Sequence, residues 1–279
     1  MNAFGSKQRL FWGRQMLVIF FLISLTFPQT ASARHIVIRD KSLSDTLAKK
    51  EAILILTGFG SLYHSAREQK RQFKERGYDL FIPDYIRRSS LDDCMEALDK
   101  FAKKQRLHEY RKIHVFSYII GSWTLNKWIE KNGLQNIGSI VYDRSALQER
   151  VPPIITETNP FLSKMMFGTV IRELAETPYK GIDSTAGVRI GLLMECKATR
   201  VLWSKKKSYD LMPPPDFSVQ AMGQKCRDYC YVFASHDDLY TNLKDIAPMV
   251  LQFFRTGNFG AQADRTPCSE DPFKPYRKT

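Results

Sequence analysis

The residues of this chain best suited to chemistry sit where apolar runs stop. His236 follows directly on the run at 229–234 and leads into Asp237 and Asp238. A histidine at such a point can take a proton from a hydroxyl or from a bound water. Ser117 and Ser122 flank Tyr118, Ile119, Ile120 and Gly121, just past the run at 112–116. Either hydroxyl becomes a nucleophile if an imidazole removes its proton. A third run, 52–57, ends in Gly58, Phe59 and Gly60. A turn of this kind leaves backbone N–H groups free to hold a developing oxyanion, and Tyr118 and Ile120 complete the expected binding set. An acid partner for the histidine is open among Asp210, Glu195, Asp216 and Asp238. Each motif also has a plain reading: glycines that merely turn the chain, serines that cap a helix, a histidine that orders a loop.

These residues need elements to position them. Residues 52–57 form a continuous aliphatic stretch, the pattern of a strand buried on both faces. A polar helix over about 64–76 follows and is stopped by Gly77. The spacing then predicts a strand at 78–83, a helix from Ser90 to about Arg106 with Asp93 completing a capping-box-like start, and a strand at 112–116. A helix runs to Asn132, closed by Gly133, and a strand follows at 137–142. Such alternation builds a mostly parallel central sheet flanked by helices, with residues 35–39 adding an edge strand. Between 143 and about 187 the alternation stops, and prolines punctuate a segment carrying Phe161, Met165, Met166 and Phe167; it reads as an inserted cap. Apolar runs resume near 188–194 and 200–203, then 229–234, with a closing helix at about 243–254. Residues 258–279 read as a loosely ordered polar tail.

From about Glu51 to Phe254 this order resembles the α/β-hydrolase fold superfamily. Residues 56–60 are similar to its His-Gly-x-Gly turn, the segment at 236–238 to its histidine loop, and Asp210 to its Asp-x-x-Val-Pro acid. Residues 117–121 fall on its Gly-x-Ser-x-Gly elbow, where the nucleophile position is Ile119. An aliphatic group cannot attack a carbonyl. The resemblance therefore implies either a hydrolase-fold protein without its usual nucleophile, which binds a small apolar molecule or a protein partner, or an esterase-, lipase- or thioesterase-like enzyme using Ser117 or Ser122 with His236. Water activation by His236 is a third route. Phe59, Tyr63, Tyr118 and Trp123, with the cap aromatics and methionines, suit an apolar or ester-containing ligand.

The first 33 residues decide the expected compartment. Lys7, Arg9 and Arg14 precede a short apolar run from Met16 to Phe27, and Ala31-Ser32-Ala33 offers a cleavage site. This is the pattern of a secretory signal cut after Ala33, which points to a periplasmic or secreted protein with its folded domain over 34–257. The formal charge of +13 falls to +10 without those three cations. The basic residues are scattered, so nucleic acid is not the expected partner; weak contact with anionic membrane surfaces is. The tightest run, Lys205-Lys206-Lys207, reads as a solvated loop. Five cysteines leave at least one thiol free, and Cys226 and Cys230 lack histidines at ligand spacing, so neither a metal nor a cofactor is expected.

Overall fold

A computed structural model describes residues 35–59, 63–183, 187–241 and 243–274. The expected signal segment, Gly60 and the side chain of Tyr63 lie outside the described residues.

Seven strands form one sheet: β1 (Ile36–Ile38), β2 (Glu51–Leu56), β3 (Asp79–Ile82), β4 (Lys112–Ser117), β5 (Ile137–Arg144), β6 (Arg189–Lys197) and β7 (Asp228–Ser235). Their spatial order is β1-β3-β2-β4-β5-β6-β7. All neighbours are parallel except β1, which pairs antiparallel with β3 and so closes the sheet with a short edge strand. The central strands read as unbroken aliphatic runs because both faces are covered: alternate residues of β2 enter different cores, Leu54 and Leu56 on one side, Ile53 and Ile55 on the other. Helices α1 (Tyr63–Phe73), α2 (Leu91–Lys104), α3 (Ile119–Asn132), α9 (His236–Thr241) and α10 (Ala247–Thr256) join these strands and cover the faces. Ser90 caps α2 by accepting from the Asp93 amide at 3.0 Å. Gly133 and Gly257 end α3 and α10 at positive φ.

The cap is helical. Between β5 and β6 the chain forms α4 (Val151–Thr158), α5 (Pro160–Phe167) and α6 (Val170–Glu176), and Pro152, Pro153 and Pro160 stand in the first turns of α4 and α5, where no amide donor is lost. Arg144 fixes the root of the cap. Its buried guanidinium pairs with Glu149, donates to the Met222 carbonyl at 2.9 Å, and stacks 3.7 Å from the Tyr179 ring.

Two expectations are corrected. Residues 200–203 form helix α7 (Arg200–Ser204), followed by α8 (Lys206–Tyr209), rather than a strand. Thr199 accepts from the Leu202 amide and so starts a helix there. The tail is also held, not loose, as far as Lys274: Asp264 bridges Tyr231 of β7, Ala198 donates to the Pro272 carbonyl, and Phe273 packs on Trp203 and Tyr209. A disulfide joins Cys196 to Cys268, leaving Cys94, Cys226 and Cys230 as thiols.

Candidate functional site

The carboxyl ends of β2, β4, β5, β6 and β7 converge on His236, which opens α9. Its Nδ1 lies 2.7 Å from Glu195 Oε1, near the end of β6, and 3.3 Å from Asp143 Oδ2, near the end of β5. Both carboxyls are fully buried. Glu195 Oε2 and the Asp143 oxygens accept no hydrogen bond among the described residues, so the ion pair with His236 is what sustains them there. On the ring's other side, Nε2 is 3.1 Å from the Tyr240 hydroxyl, one helical turn along α9.

Burial alone would push the His236 imidazole down. The carboxylates of Glu195 and Asp143 outweigh it and hold the imidazole up at about 10. Burial and then Asp143 push Glu195 upward, against the pull of His236; burial pushes Asp143 upward too. The three titrate as one unit, and a protonated imidazole offsets the carboxylate charge beside it. In that state both ring nitrogens donate, Nδ1 to Glu195 and Nε2 to the Tyr240 oxygen. An imidazolium at neutral pH has no lone pair with which to act as a general base.

The aromatic wall around this array is tight. Tyr118 stacks on Tyr240 with ring centroids 4.6 Å apart and donates to the Leu239 carbonyl at 3.1 Å. A Cβ on Gly58 would fall 2.0 Å from the Tyr240 hydroxyl oxygen and 3.4 Å from His236 Nε2. Glycine at 58 is therefore required by close approach. Burial raises the hydroxyls of Tyr118 and Tyr240 well above the ordinary tyrosine value, so neither supplies a phenolate.

The expected serines are elsewhere. Ser117 ends β4 with a wholly buried hydroxyl that donates to the Tyr118 carbonyl and receives the Ser122 hydroxyl at 3.5 Å. Neither serine is hydrogen-bonded to His236. Gly121 shows where Ser117 points: a Cβ there would lie 2.8 Å from Ser117 Oγ and from the Leu56 carbonyl oxygen. The hydroxyl thus faces the first turn of α3. Ile119 begins α3 and is packed, with Ile120, into the core beneath the cap. Burying such a side chain contributes about 2 kcal/mol. No residue of the β4–α3 turn has the positive φ of a strained elbow.

Asp210 is corrected as the acid partner: half exposed, it holds Lys206 at 2.7 Å from both oxygens. Glu195, a competitor in the sequence, takes the role, and Asp143 and Tyr240 join it unforeseen. Their signals were available. Asp143 is the first charged residue past the run at 137–142, and Tyr240 lies four residues from His236, on one helix face. The expected apolar lining is only partly present. Phe59 meets Phe167 edge-on at 5.4 Å, while Phe161, Met165 and Met166 face solvent. A cleft of about 440 Å³ beside α2, lined by His35, Arg87 and Lys100 among others, shares none of these residues.

Asp143, Glu195 and His236 present ligand atoms within 4.8 Å of one another, a donor set that suits a divalent cation. A metal would have to displace the Nδ1 proton from its bond to Glu195.

No protein-family model and no curated protein matches this chain. Among solved structures it is similar to MGS-MChE2, an α/β hydrolase from the metagenome of lagoon sediments of Mar Chica, Morocco, with TM-score 0.49 and 11% identity over 79% of this chain and 94% of that one. It is also similar to Est1E from Butyrivibrio proteoclasticus, with TM-score 0.45 and 13% identity over 80% and 98%. The monoacylglycerol lipase of Paleococcus ferrophilus gives TM-score 0.47 and 9% identity over 81% and 99%. The strand order, the helical insertion after β5 and the histidine after β7 are the features in which this mostly parallel seven-stranded sheet resembles the α/β-hydrolase fold.

Proposed function

We propose that this chain is a hydrolase-fold protein in which the serine route of acyl transfer is not assembled, and that its role is binding. The observation that carries this is the partner of His236 Nε2: the Tyr240 phenol occupies the position from which an imidazole would activate a nucleophile. Ile119, committed to the core, and Ser117, turned toward α3, support the same reading. The ligand class it favours is a small apolar molecule taken up against Phe59 of the β2 turn and Phe167 of the cap, whose rings now meet edge-on and would have to part or be flanked. Export of the chain remains the expectation set by its first 33 residues.

The test is labelling with a fluorophosphonate, mapped by peptide mass, beside hydrolysis of p-nitrophenyl esters. Neither serine should be labelled, and any slow ester turnover should be unchanged in His236→Ala. A second reading, ester hydrolysis by Ser117 or Ser122, draws on the retained His236–Glu195 bond. Label on either serine, together with turnover abolished by His236→Ala, would establish that reading and end the first.

A further inference from the structure

We propose that the corner formed by α7, α8 and the residue after them docks on an anionic lipid bilayer surface. Residues 200–211 carry four Lys or Arg against one acid, Asp210. On the same short stretch Val201, Trp203 and Leu211 expose large apolar surface, Leu211 at 89% of its full area. A solvated loop has no use for such a group, which costs free energy in water. Lys205, Lys206 and Lys207 fall between these side chains, so charge and apolar surface alternate along two turns.

The corner is also packed from beneath. Phe273 anchors it from beneath, with its ring 5.6 Å from Trp203 and 5.1 Å from Tyr209, and Lys206 Nζ lies 4.8 Å above it. Arg150 reaches across to the Pro214 carbonyl at 2.9 Å and adds a further cation. Of the acids nearby, Asp210 is held by Lys206, and Glu270 of the tail is paired with Lys274 at 2.6 Å. Ammonium groups around an exposed indole match what an interface offers: phosphate charge at the surface and hydrocarbon a few ångströms deeper. Tryptophan favours that depth, and lysine stems reach along apolar surface while their heads stay wet. Anionic lipid supplies the complement to the net charge, and the arrangement lies in the membrane plane without spanning it. It does not depend on the reading of the His236 site.

Sedimentation of the full chain with vesicles tests this. Phosphatidylcholine vesicles containing phosphatidylglycerol should bind the protein, pure phosphatidylcholine vesicles should not, and salt should release it. Removing the lysines as Lys205→Gln, Lys206→Gln and Lys207→Gln should weaken binding about fivefold for each charge removed. The pair Trp203→Ser and Leu211→Ser, 37% and 89% exposed in the parent, should weaken it tenfold or more, with an unchanged circular dichroism spectrum as the check that the fold is kept. Variants that bind as the parent does would place the contact elsewhere, in the first 33 residues above all, and overturn the proposal. So would equal binding to neutral vesicles, preference for single-stranded nucleic acid, or a change in oligomeric state in the serine variant, which would make a second copy the occupant.

Discussion

At the level of the single residue, the proposed binding role rests on the Tyr240 hydroxyl. Tyr240 engages the nitrogen of His236 that an acyl-transfer enzyme keeps for its nucleophile. Two consequences belong to this scale. In Glu195→Gln the His236 imidazole should lose the first of the charges that hold it up near 10 and titrate at lower pH, read from the ring proton shifts by NMR; an unmoved titration would contradict the assigned partner. Ile119→Ser should restore no esterase activity, because the ring is already occupied, and should destabilise the fold by roughly 2–4 kcal/mol through lost burial and an unpaired hydroxyl, measured by urea unfolding. Turnover in that variant would show that Nε2 is free to serve it. His236 was legible in the sequence because a strand, a histidine and a helix follow in order. Its acids were not, since they arrive from two other strands and only the sheet order brings them to the ring.

At the scale of elements, the β2 and β4 turns are defined by how closely backbone and side chains pass. Gly121 lies against the Leu56 carbonyl, a backbone atom that cannot swing away. Gly121→Ala should therefore cost about 1–3 kcal/mol, and calorimetry should show it as a lowered Tm. An unchanged Tm would mean α3 can slide from β2. Most strands and the long helices were readable from periodicity alone, because a run aliphatic on both faces and a polar amphipathic stretch differ over a dozen residues. Residues 200–203 were misread for the opposite reason. Four apolar-rich residues carry no period, and only the Thr199 cap distinguishes helix from strand.

For the whole molecule, two buried histidines set opposite limits on stability. Burial holds His114 below the ordinary imidazole value, with Glu51 pulling it back up. Its unfolded form takes the proton first, so its contribution is present above about pH 6.5 and is lost as the pH falls. His236 behaves in reverse: raised to about 10, it favours the fold fully below about 6.5 and less as the pH climbs through 10. Urea midpoints from pH 5 to 10.5 should trace a dome, with the alkaline limb flattened in His236→Gln. A midpoint that keeps rising to pH 10 would contradict the imidazolium. Composition foretold neither limb, since a histidine's environment is a property of the sheet that encloses it.

The bond between Cys196 and Cys268 closes a loop across 72 positions, a constraint worth about 4 kcal/mol in chain-entropy terms. Its first cysteine is the immediate neighbour of Glu195, so the acid on His236 and the stretch around Cys268 share one covalent knot. Thiol counting turns this into a record of where a given molecule matured: alkylation of unfolded protein should find three reactive sulfurs in material from an oxidising space and five in material that never left a reducing one.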